Sequence, residues 1–138
     1  MDLYQNAHET EHAATLLHNS EAYRQSIYFY CLAVELYLKS KLHLVPHDIE
    51  LEKSHDTLGL YNALLVRFKP KADFRPMLTR CRKYFNESRY PYSADTSAYT
   101  KEFASEFKEF VAAVRDFIDN ECIASVDDLV SKHLREEQ

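Results

Sequence analysis

His8, Glu9 and His12 lie in the segment HETEH, whose H-E-x-x-H spacing sets two imidazoles on one helical face to hold zinc while the glutamate acts as base. A hydrolytic zinc site also needs a third protein ligand, an open coordination position and a dry cleft. His18, His43, His47, His55 and His133 follow no spacing that nominates that third ligand. The segment therefore reads as a solvated face, with Glu9 and Glu11 favourable near a helix N-terminus. We assign no metal, no cofactor and no catalytic residue from it.

Other residues suit phosphate better. From Arg67 to Arg89 there are eight Lys or Arg against Asp73 and Glu87, a local +6 in a chain whose formal net charge is -5. A basic block on an acidic body draws phosphate, although a solubilising helix face gives the same pattern. Arg82 sits inside this block, and Arg89 closes it ahead of Tyr90 and Pro91. The guanidinium fork can hold two phosphate oxygens, Tyr90 can offer a stacking face or a hydroxyl, and Pro91 fixes the backbone; the plainer alternative is an Arg that anchors the loop. Glu35 and Lys39 are four residues apart with the acid first, the spacing of an ordinary helix-stabilising pair. His55 reads equally as a cap or packing residue.

These residues need helices to place them. With one Gly and four Pro in 138 residues, long stretches carry neither breaker. Ala13, Leu16 and Leu17 mark a modest first stripe, after which Asn19 or Ser20 can cap a second helix. In that second segment Ile27, Cys31, Val34, Leu38 and Leu42 recur every three or four residues, flanked by Tyr23, Tyr30 and Tyr37. A third helix starting near Ser54 or Asp56 carries Leu58, Tyr61, Leu65 and Phe68. A fourth, capped by Asp73, carries Met77, Cys81, Tyr84 and Phe85, with Pro76 in its first turn. After an aromatic loop, a long helix from Ser97 or Thr100 to Asn120 turns Phe103, Phe107, Val111, Val114 and Ile118 inward, and a short helix begins near Ser125. The expected fold is all-α, an antiparallel four- to five-helix up-and-down bundle, with residues 1–138 forming one domain.

Cys31, Cys81 and Cys122 are odd in number, far apart and set in apolar patterns, so they read as buried thiols of a reducing compartment. No run approaches the roughly 20 apolar residues of a membrane span, and the expected location is cytoplasmic. Ten Tyr and eight Phe exceed what a small core readily hides, which suggests a homodimer.

Taken together, YRQSIYFYCLAVELYLKSKL, SHDTLGLYNALL and YFNESRYPYS resemble the HEPN domain family, the nucleotide-binding helical domains of higher eukaryotes and prokaryotes. Ala33, Val34, Glu35, Leu38 and Lys39 match the family's first motif; Arg89, Tyr90 and Pro91 match its Arg-Tyr-Pro signal. His55 and Leu58 match its His-x-Leu signal with the Leu one position late. The resemblance implies a helical bundle that binds a nucleotide or RNA phosphate through Lys39, His55, Arg82, Arg89 and Tyr90, supported by Glu35, Asn86 and Pro91. It further implies a possible minimal nucleotidyltransferase partner, in a toxin–antitoxin-like or nucleotide-transfer system. Ribonuclease members carry an Arg-x(4-6)-His element, in which Arg stabilises phosphoryl charge and His moves a proton. Here no Arg is followed by His after four to six residues. A metal-independent endoribonuclease and a non-enzymatic protein-interaction bundle are the alternative functions.

Overall fold

The computed structural model describes residues 2–89 and 99–123, with side chains at all of these but 86–89. Helix α1 runs Leu3–Asn19, and its first turn is closed by Asp2, whose Oδ1 accepts from Gln5 N at 3.0 Å. Helix α2 (Tyr23–Ser40) is the central element and packs against α1, α4 (Thr57–Leu64), α5 (Arg75–Arg89) and α6 (Lys101–Asp116). A short 3-10 turn at Leu42–Leu44 and the single-turn helix α3 (Ile49–Glu52) link α2 to α4. Apart from that single turn, five helices form the bundle, and there is no strand among the described residues.

The periods of α2 and α6 are realised as read. Ile27, Tyr30, Cys31, Val34, Tyr37 and Leu38 are buried on α2 because it has neighbours on several sides. On α6, Phe107, Val111 and Val114 turn inward, and the helix widens at Phe117–Glu121, where Cys122 N donates to Phe117 O at 2.9 Å. Thr100 caps α6 by accepting from Phe103 N at 3.1 Å, and Asp56 caps α4 by accepting from Gly59 N at 3.1 Å. At the start of α5, Asp73 Oδ1 accepts from Arg75 N at 3.1 Å. Leu78, Cys81 and Phe85 are buried on α5.

Three expectations are corrected. The inward face of α1 is not Ala13, Leu16 and Leu17: Leu16 is 54% exposed, and Ala7, Ala14 and His18 are buried instead. Small residues let α1 lie close to α2, a contact that a stripe of leucines would hold apart. Second, neither Asn19 nor Ser20 caps α2. Its N-cap is Ala22, with no side-chain bond, because Ser20 N and Ala22 N both close the end of α1, and Glu21 turns the chain at φ 64°. Third, HETEH lies in the second and third turns of α1, where His8, Glu9 and His12 are exposed as a solvated face requires, but Glu11 is not part of that face. Tyr37 Oη donates to Glu11 Oε1 at 2.6 Å, and Arg115 Nη1 of α6 bonds Glu11 Oε2, so this carboxylate joins three helices. His8 packs edge-on against Tyr4 and Tyr37.

All three cysteines are free and buried. Burial, with Cys81 as its hydrogen-bond partner, pushes the Cys31 thiol well above its ordinary range. The described aromatics are largely absorbed internally, because the large exposed hydrophobics among the described residues are Leu16, Ile49, Val66 and Ile123. No helix among the described residues is long and apolar enough to cross a membrane. The short helix expected from Ser125 lies outside the described residues.

Candidate functional site

Glu35 projects from the middle of α2 and is 4% exposed. Its two oxygens have different partners: Oε2 accepts from Lys39 Nζ at 3.2 Å, and Oε1 lies 2.8 Å from His55 Nδ1. The Lys39 contact is the one-turn pairing written into α2. The His55 contact is made by the fold, which brings the segment leading into α4 across the central helix. Such a buried carboxylate is tolerated because it is bonded on both oxygens.

His55 is otherwise open, with 60% of its side chain exposed. One ring face rests on Phe85 of α5, at 5.3 Å between centroids and 30° between planes. Phe85 also carries Tyr28 of α2, stacked at 4.9 Å and 17°. With Nδ1 donating to Glu35, the neutral imidazole leaves Nε2 as an outward proton acceptor; protonated, the ring is a donor on both edges. Asp56, not His55, provides the helix cap.

Ser54, His55, Asp56, Arg82 and Phe85 line a cavity of about 220 Å³. Arg82 is thereby set beside the imidazole on an adjoining wall, and it has no ion pair among the described residues. Asp56 brings a carboxylate to the same cavity and opposes part of that charge. A larger hollow of about 550 Å³ reaches Lys39 but not His55, and its lining sets Asp2 and Glu52 against Lys39 and His43. Mixed charge makes it the poorer anion site.

Much of the basic block has partners of its own. Arg75 Nε donates to Asp73 Oδ1 at 2.9 Å, holding that carboxyl below its usual range. Arg80 Nη2 donates to Glu106 Oε2 at 3.0 Å and lies over the ring of Phe103 at 4.9 Å. Arg67 Nη1 donates to Leu44 O at 2.9 Å. The block is therefore not one open patch. Arg89 ends α5 seven positions after Arg82, on nearly the same helical face and about 10 Å along the axis. Asn86 falls within α5 as well, while Tyr90 and Pro91 lie outside the described residues.

Among the sequence-predicted site residues, the fold thus gathers Glu35, Lys39, His55 and Arg82. It adds Phe85, which reads as core in the sequence, Asp56, which reads as a cap, and Ser54. The model of the HEPN domain matches residues 1–121. The chain belongs to the HEPN domain family. The match spans α1 through α6, so Glu35, Lys39, His55 and Arg82 all fall inside it. No curated protein and no solved structure matches the chain. HEPN membership carries a nucleotide- or RNA-related role at the level of the family. No group of three or more His, Cys, Asp or Glu placed to hold a metal ion occurs among the described residues.

Proposed function

We propose that this HEPN chain is a nucleotide- or phosphate-binding helical module. The observation that carries the reading is the placement of Arg82 and His55 on one cavity, with the histidine held by buried Glu35. A guanidinium and an imidazolium are charge-assisted donors for phosphoryl oxygens, and Glu35 fixes the imidazole without touching the ligand. Lys39, on the other oxygen of the same carboxylate, adds positive charge nearby. The family resemblance adds Arg89 and Tyr90 to the ligand-binding residues, with Asn86 and Pro91 in support. On this reading the module presents a nucleotide to a minimal nucleotidyltransferase partner and works as a cytoplasmic homodimer; family resemblance is the support for both.

Titration calorimetry with AMP and with inorganic phosphate tests the proposal. Wild-type protein binds both, and Arg82→Ala weakens both about tenfold or more while circular dichroism shows an unchanged fold. Unchanged affinity in a folded Arg82→Ala protein would remove this site. Light scattering tests pairing, since a monomer has a mass of 16.2 kDa.

A second reading, metal-independent cleavage of RNA, is favoured by one specific arrangement. His55 has Nδ1 on a carboxylate, its outer edge open, and an Arg beside it. The proton-moving and charge-stabilising pair is then assembled from two elements instead of one helix. Cleavage of a 2′-hydroxyl-bearing oligonucleotide in EDTA, lost in His55→Ala, would establish it.

A further inference from the structure

We infer that the aromatic pile beneath His55 is a base-stacking platform, so that the cavity takes a nucleotide through its base as well as its phosphate. The inference rests on the phosphate-binding reading above and names the ligand class more closely.

Phe85 is 8% exposed, with Tyr28 and His55 both stacked on it. His55 has one face on Phe85 and its Nδ1 edge 2.8 Å from Glu35 Oε1, yet its side chain is 60% exposed. The exposed portion must then be the opposite face and the Nε2 edge. A flat ring presented in this way, with its orientation fixed from below and from one edge, has little rotamer freedom left to lose when a second ring settles on it. Stacking of this kind tolerates any base, because every base has a π-face.

The surroundings limit how the base can lie. Arg82 and Phe85 are three positions apart on α5 and share the cavity wall, so a base on the imidazole has its phosphate within reach of the guanidinium. The cavity of about 220 Å³ is below the roughly 300 Å³ at which pockets enclose whole small ligands. It suits part of a nucleotide, with the sugar left in solvent. Free nucleotides and the ends of single-stranded RNA share this chemistry.

Calorimetric titration of AMP, ribose 5-phosphate and inorganic phosphate decides the matter. AMP should bind at least about tenfold tighter than ribose 5-phosphate, the usual scale of one base stacked on an aromatic ring. His55→Gln keeps a donor for Glu35 but has no ring. It should bring AMP and ribose 5-phosphate to equal affinity, both weaker than in wild type because the imidazolium donor is lost along with the ring. In NMR, AMP should move the His55 ring-proton signals upfield by ring current, and ribose 5-phosphate should not. This wild-type measurement stands even if the variant fails to fold. Equal affinity for AMP and ribose 5-phosphate, with both dependent on Arg82, would overturn the platform and leave phosphate binding intact. Absence of binding by all three probes would overturn both. Tighter binding of a short 5′-phosphorylated oligonucleotide than of AMP would support the platform and identify RNA as the source.

Discussion

His55 Nδ1 lies 2.8 Å from Oε1 of Glu35, which ties the segment before α4 to a carboxylate buried on the central helix. Glu35→Ala removes the shared acceptor of Lys39 and His55. Breaking a fully buried pair costs about 3–5 kcal/mol, but here the exposed imidazole can find water, so a loss of about 2 kcal/mol is expected. Glu35→Gln keeps one acceptor and should cost less. Urea unfolding of both variants checks the order; an equal loss would show that the charge, not hydrogen-bonding capacity, is what α2 needs there.

Asp56 both caps α4 and places a carboxylate in the anion cavity. Asp56→Asn keeps the capping bond to Gly59 and removes the opposing charge. Phosphate affinity should rise several-fold, with stability within about 0.5 kcal/mol of wild type, whereas Asp56→Ala should cost about 1 kcal/mol. Calorimetry combined with thermal unfolding separates the two roles.

Gly59 is the chain's single glycine, and an added Cβ would stand 2.9 Å from Asp56 Oδ2. Helix propensity favours Gly59→Ala by about 1 kcal/mol, and displacement of the cap costs a similar amount. The substitution should be nearly neutral in wild type and stabilising in an Asp56→Ala background. Additive effects in the double-mutant cycle would show that the carboxylate swings aside without losing its cap.

Arg115 of α6 and Tyr37 of α2 both donate to Glu11 of α1, whose side chain is 14% exposed. Arg115→Met leaves that acid with the tyrosine alone and should lower stability by about 1–3 kcal/mol. The loss should survive 0.5 M NaCl, because sheltered pairs are screened less than surface ones. A loss that vanishes in salt would mark the pair as a surface contact.

His18 is buried against Tyr23 and Tyr30, and desolvation, helped by Lys108 and Lys101, lowers its pKa below the ordinary value of 6.5. The unfolded chain therefore binds a proton there at a higher pH than the folded one. Stability falls as pH drops below about 6.5 through the folded value. Between pH 7.5 and 5.5, wild type should lose more unfolding free energy than His18→Phe, as read from urea midpoints at each pH. An equal pH slope in the variant would exclude His18 as a source.

The apolar periods of α2 and α6 are legible in the sequence because each is long and repeats every three or four residues. The caps at Asp56 and Thr100, and the bond from Arg75 N to Asp73 at the start of α5, are local chemistry and are equally legible. The Glu35–Lys39 pair, one turn apart, belongs to the same class.

Tertiary structure alone decided the rest. The face of α1 depends on how closely two helices approach, so buried alanines displaced an exposed Leu16 that hydropathy favours. HETEH, a metal pattern by spacing, separated into a histidine packed on tyrosines and a carboxylate bonded from α2 and α6, partners that the spacing does not contain. Glu35 and His55 are 20 residues apart, and no period relates them. Their contact exists because α2 is covered on several sides, and a charge enclosed there has to be met by whatever chain crosses it. The basic block was a count of like charges until the fold paired Arg75 and Arg80 and set Arg82 beside the imidazole.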